Sequence, residues 1–190
     1  MGKIVVFNLV TIDGFFAGPN GEIDWHNYDD EMGRHSITQL KSLSVLIFGR
    51  TTYEMMASYW PTPEGIKGEP VVAEIMNNIP KMVFSKTLKQ VEDGTLWKNV
   101  KVFHEIKPED ILKIKEQEGG DIAIFGSGTI VQQFTNLGLI DEYRLVVNPI
   151  ILGKGKPLFK DIDARLNLKL LETKVFKNGN VLLRYGRASN

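Results

Sequence analysis

Short runs rich in β-branched residues, four to eight long, recur along the chain between stretches of helical period. I-V-V-F-N-L-V-T (Ile4–Thr11) reads as a buried strand, as do residues 45–48, 81–84, 100–103, 122–125 and 142–148. Apolar spacing near 3.6 predicts helices over residues 29–43, 51–59, 69–78, 108–117 and 129–137. Pro108, with Glu109 and Asp110 behind it, suits a first helical turn. Residues 13–24 are glycine-rich, carry the turn Pro19-Asn20-Gly21 and predict a loop. After Asp141 the helical pattern stops. Residues 166–177 and 181–187 flank Asn178-Gly179, a hairpin signal. Strand–helix alternation closing on an antiparallel pair predicts an α/β domain of three α/β/α layers. Its central sheet would be mixed and mainly parallel, with a C-terminal antiparallel hairpin.

Composition narrows the class. A chain of 190 residues, 43% hydrophobic, suits a single domain over residues 1–190 with a real core. Zero net charge and no block of Lys or Arg argue against nucleic acid as a partner. The absence of cysteine excludes disulfides and thiolate metal sites. His26, His35 and His104 show no metal-ligand spacing and read as surface or loop residues, so no metal is expected. The apolar run near the N-terminus is too short for a membrane span and has no basic leader, so a cytoplasmic protein without a membrane partner is expected.

Two strands end in glycine turns that run into helices. V-L-I-F-G-R-T-T-Y (residues 45–53) stops at Gly49, and D-I-A-I-F-G-S-G-T-I (residues 121–130) stops at Gly126. Such turns place open N–H groups and a positive helix end at the carboxyl edge of a sheet, where phosphate binds well. In the first, the Thr51 and Thr52 hydroxyls would face one phosphate and the Arg50 guanidinium would fork onto another. In the second, Gly126, Ser127 and Gly128 would admit a pyrophosphate, with Phe125 and Thr129 flanking it. Each turn could equally be an ordinary connection without a ligand. Ser85-Lys86 ends a third strand and would supply another cation, or simply close that strand. G-S-G-T is not a G-x-G-x-x-G fingerprint, so a Rossmann site is not indicated.

These segments, in this order, resemble the dihydrofolate-reductase-like superfamily. F-G-R-T-T, V-F-S-K and I-F-G-S-G-T-I-V-Q-Q-F match its three cofactor segments. N-L-V-T-I-D-G, I-D-W and the stretch I-D-E-Y-R-L-V-V-N-P-I-I-L-G-K-G-K-P-L-F (residues 140–159) are most similar to the reductase domain of the bifunctional riboflavin-biosynthesis deaminase-reductase. The resemblance implies NADPH and hydride transfer to a C=N or C=O bond. The pyrophosphate would lie on Gly49 and on residues 125–129, the 2′-phosphate near Arg50 and Lys86, and the nicotinamide over Asn8, Leu9, Ala17 and Gly18. It also implies a cis bond between Gly126 and Ser127, and often a homodimer; the apolar surface of residues 143–151 is the expected contact. Asn8, Trp25, Asp30, Tyr53 and Trp60 are the candidate substrate contacts, Trp60 being equally readable as packing. Trp25 and Asp30 keep the spacing of the Trp and pterin-binding acid of folate reductases, whereas Ile79 falls near the place of their folate-binding arginine. Asp30, if buried, is the candidate proton donor, because desolvation raises a carboxyl pKa; otherwise it is a helix-start acid paired with the dipole. Three readings stand: a reductase of the riboflavin branch, a divergent dihydrofolate reductase, or a nucleotide-binding module without catalysis.

Overall fold

A computed structural model describes residues 2–89, 91 and 97–188. The strands are β1 (Ile4–Thr11), β2 (Phe15–Ala17), β3 (Leu43–Gly49), β4 (Lys81–Phe84), β5 (Val100–Phe103), β6 (Asp121–Gly126), β7 (Glu142–Asn148), β8 (Lys156–Pro157), β9 (Leu168–Val175) and β10 (Val181–Arg187). The helices are α1 (Asp30–Lys41), α2 (Arg50–Ala57), α3 (Pro63–Gly68), α4 (Pro70–Asn78), α5 (Pro108–Gln117) and α6 (Gly128–Asn136). Eight strands form one sheet in the order β5-β4-β3-β6-β1-β7-β10-β9. The six strands from β5 to β7 run parallel, and the β9–β10 hairpin joins them antiparallel. The mixed, mainly parallel sheet and its terminal hairpin are therefore present as the pattern predicted.

The central strands are apolar on both sides because both sides are covered. Ile4, Val6, Ile47, Ile122 and Ile124 meet Ile111 of α5 and Val131 and Phe134 of α6. Val5, Leu46, Phe48 and Ala123 meet Leu40 of α1 and Val72 and Met76 of α4. Helix α1 buries Met32, Ser36 and Leu40, a stripe at four-residue spacing, and Asp29 caps it by accepting a hydrogen bond from the Met32 N–H at 2.8 Å.

Three local features depart from the sequence reading. Residues 13–24 hold the short strand β2, which pairs with β8 in a separate two-stranded sheet. Helix α3 starts at Pro63 behind the cap Thr62. Of residues 143–151, expected to face a second copy, those in β7 pack largely inside the chain, whereas Ile151 stays 69% exposed. Strand β7 lies between β1 and β10, with Tyr143 and Val146 buried.

The family-like segments after β1 and after β7 meet. Asp13 accepts N–H bonds from Gly153 at 2.8 Å and Leu152 at 3.3 Å, and a hydroxyl bond from Thr11 at 2.6 Å. The Thr11 hydroxyl bond leads in holding this carboxyl below its usual range. The turn at 152–153 is thereby tied to the loop after β1, and β8 is brought beside β2.

Candidate active site

Strands β1, β3, β4 and β6 point their carboxyl ends at one edge, where helices α2 and α6 begin. Neither helix has a side-chain cap: the N-cap residues are Gly49 and Ser127. Their first-turn N–H groups are therefore open at the positive end of each dipole. The two turns touch, since a Cβ on Gly49 would stand 2.9 Å from Ser127 Oγ. Gly126 has φ +124°, a conformation reserved for glycine, and a Cβ there would lie 3.3 Å from Thr52 Oγ1. The Gly126–Ser127 bond is cis, as the resemblance implied. Phe16 of β2 covers Gly128 so closely that a Cβ would meet its Cε1 at 2.7 Å.

A cavity of about 990 Å³ opens from this edge and runs inward between the sheet and helices α1, α2 and α4. Of the residues expected from sequence, Asn8, Leu9, Ala17, Thr51, Thr52, Trp60, Phe125, Ser127, Gly128 and Thr129 line it. Gly49 and Gly126 stand immediately behind that lining. Asn8 is 8% exposed and donates to the Phe125 carbonyl at 3.1 Å, while its Oδ1 is buried without a partner. A buried acceptor left unpaired is costly unless a ligand donates to it.

Arg50 and the strand end at Ser85-Lys86 do come together, outside the cavity. The Arg50 guanidinium bonds Glu54 at 2.7 Å and Thr87 Oγ1 at 3.0 Å, half-exposed. The Ser85 hydroxyl accepts from the N–H groups of Thr87 and Leu88, which folds Lys86 into an exposed turn. Gly18 likewise lies beside the cavity, its N–H bonded to Glu22 O at 2.8 Å.

Three expected substrate contacts are placed elsewhere. Asp30 is exposed and does not line the cavity, so the burial that would fit it for proton donation is missing. It lies two residues before Met32, about 200° around the helix from the buried stripe. Trp25 bonds the Glu22 carbonyl at 3.2 Å, outside the cavity lining. Tyr53 is buried in the core, stacked on Trp97 with centroids 5.6 Å apart.

The structure supplies wall residues that the sequence reading did not single out. His26 lines the cavity with Nε2 buried and unpartnered, and burial lowers its pKa to about 4, so the ring is neutral near pH 7. Tyr28 Oη and Ser36 Oγ, both at the wall, lie 2.6 Å apart. An asparagine cluster fixes this segment. Asn27 exchanges side-chain bonds with Asn178 at 2.7 and 2.8 Å and receives one from Asn180 at 2.7 Å, while its N–H donates to Asn148 Oδ1 at 3.0 Å. On the floor, Arg144 of β7 bonds Glu142 at 2.7 Å, Gln39 at 3.1 Å and Asp121 at 2.6 Å. Glu142 is fully buried. Burial alone would raise its pKa, but bonds from Arg184, Arg144 and Lys3 outweigh that and hold it at about 2. The sequence signal for Glu142, Arg144 and Asn148 was their place in the stretch of residues 140–159, which also brings Lys156 to the cavity; Asn27, Tyr28 and Ser36 carried none.

Residues 2–182 match the profile of the RibD C-terminal domain. The chain belongs to that family. A RibD C-terminal domain is a reductase-type domain, and relatives of this one span it nearly end to end. The protein YyaP of Bacillus subtilis, itself uncharacterized, is 34% identical over 96% of this chain and 94% of its own length. A Shewanella sp. PV-4 protein ascribed to riboflavin biosynthesis has the same fold, with a TM-score of 0.76 at 24% identity over 98% of this chain and 99% of its own. Dihydrofolate reductase from Enterococcus faecalis, solved with NADP(H), has a TM-score of 0.67 at 18% identity over 99% of this chain and 98% of its own. At those identities the two structures bear on the fold of this RibD C-terminal domain, which is dihydrofolate-reductase-like. No helix among the described residues is long and apolar enough to cross a membrane.

Proposed function

We propose that this chain is an NADPH-dependent reductase that transfers a hydride to a C=N or C=O bond. The observation that carries the reading is the pair of uncapped helix starts at Gly49 and Ser127, in contact with each other at the mouth of a cavity large enough for nicotinamide and substrate. A pyrophosphate fits there because the glycines keep Cβ atoms away and two helix dipoles converge. Leu9 and Ala17 would hold the nicotinamide, with the unpaired Asn8 Oδ1 accepting an N–H. Arg50 and Lys86 would meet the 2′-phosphate, Arg50 leaving Glu54 to do so. The cofactor, when bound, supplies the hydride. The chain holds it against the substrate, excludes water with apolar walls, and provides a proton. The Tyr28–Ser36 hydroxyl pair takes that last role in place of Asp30.

Calorimetric titration with NADPH tests the reading directly. Saturable one-site binding that is weakened roughly tenfold in Gly128→Ala supports it. A chain that binds no NADPH would instead be the non-catalytic module. Consumption of NADPH with dihydrofolate, against consumption with the ribosylaminouracil phosphate, separates the two reductase branches.

A further inference from the structure

The inner half of the cavity has a composition of its own. It is lined by the sheet residues Phe7 and Phe125, by Met55 of α2 and Trp60 just beyond it, and by Val72 and Met76 of α4. Two charged groups line it, Arg144 on the floor and Glu69 at the rim; Lys156, Lys160 and Asp161 belong to the other half, beside the helix start at Ser127.

Arg144 does not offer a free charge. Its Nε and both terminal nitrogens are engaged with Glu142, Gln39 and Asp121. The surrounding network contains Lys3, Arg144 and Arg184 against Glu142, Asp121 and Glu172, three charges of each sign. An anion brought to this guanidinium would stand next to carboxylates already bonded to it, and the nearby polar groups, Tyr28 and Ser36 bonded to each other and Gln39 to Arg144, would replace little of the water it loses. Glu69 at the rim adds repulsion. A flat uncharged ring, in contrast, would find aromatic and thioether partners on both sides.

From this we infer that the substrate of the site is an uncharged aromatic or hydrophobic carbonyl or imine compound, and that the inner cavity excludes phosphorylated molecules. This rests on the reductase reading for the words carbonyl and imine, and on the cavity alone for the exclusion of phosphate.

The test uses the full chain, first titrated with NADPH and then, at saturating NADPH, with 2-naphthol and 2-naphthyl phosphate. The two probes share one ring system and differ by the phosphate. NADPH binding decides the reductase reading by itself; the naphthyl pair decides this one. We expect 2-naphthol to bind at least tenfold more tightly than its phosphate. Met55→Lys, a change at a residue 38% exposed and so tolerant of a charge, should weaken 2-naphthol several-fold and strengthen 2-naphthyl phosphate by at least fivefold. Equal or tighter binding of the phosphate to the unmodified chain overturns the inference. So does failure of both probes to bind, and so does a Met55→Lys variant that leaves both affinities unchanged, because binding would then lie elsewhere.

Discussion

At the scale of single residues, the site depends on a few groups with definite partners. Arg50 is half-exposed and shares its charge with Glu54, so its contribution is readable only through the cofactor. Arg50→Ala should cost about 1.5–3 kcal/mol in NADPH binding and little in NADH binding, as loss of a charge-assisted pair would; equal losses would remove the arginine from the 2′-phosphate. Tyr28→Phe leaves the ring in the wall and removes the hydroxyl, so turnover should fall by on the order of 10²-fold with NADPH affinity unchanged. A change below threefold would return proton delivery to solvent. His26 titrates in a window of its own. Burial lowers its pKa from the ordinary 6.5 to about 4, so between those values the unfolded chain takes up a proton that the folded chain refuses. Stability is full above about pH 6.5 and falls as the pH drops toward 4, by on the order of 2–3 kcal/mol. Glu142 loses its contribution only below 4.5. Urea melts of wild type and His26→Gln between pH 4.5 and 6.5 should therefore diverge in slope, the variant being flatter, with His35, whose pKa burial also lowers, supplying what slope is left.

At the scale of elements, two devices position the site. The first is the start of α6 under β2. Gly128→Ala should displace the Phe16 ring and weaken NADPH roughly tenfold, as an overpacked contact does, while calorimetry shows the fold intact. The second is β7, whose charged residues hold the floor. Glu142→Gln leaves Lys3, Arg144 and Arg184 around a neutral amide in a fully buried place. A loss of about 1–3 kcal/mol in thermal or urea unfolding follows, because three charge-assisted bonds become neutral ones while Arg144 keeps Asp121, Arg184 keeps Glu172 and Lys3 is half-exposed.

At the scale of the molecule, the question is what covers β9. This edge strand presents Leu168, Leu170, Leu171 and Val175, the last 70% exposed, along an unpaired ladder. Long apolar edges are either paired or blunted in stable proteins. We expect the homodimer implied by the family resemblance to use this edge, since β7 is paired on both of its sides. Sedimentation at micromolar concentration should give the mass of two chains, and Leu170→Lys with Val175→Lys should return it to one. A single-chain mass for the unmodified protein would dispose of the pairing.

The sequence by itself determined most of the elements and the two glycine turns at the sheet edge. Strands and helices were legible because their apolar periods are local, and burial on both faces made the central strands continuous in Val and Ile. The glycine turns at Gly49 and Gly126 were legible because a crowded or positive-φ turn demands a residue type and not merely a pattern. The substrate half was decided only by tertiary structure. Asn27 meets Asn178, Tyr28 meets Ser36 and Gln39 meets Arg144 through strand order and helix phase, over separations of 151, 8 and 105 residues. Asp30 shows the same physics in reverse. Its spacing from Trp25 fits a known acid, yet helical phase carries it opposite to Met32, Ser36 and Leu40 and out to solvent. Spacing along a chain fixes which residues share a turn; which face that turn presents to a cavity is settled by what packs against it.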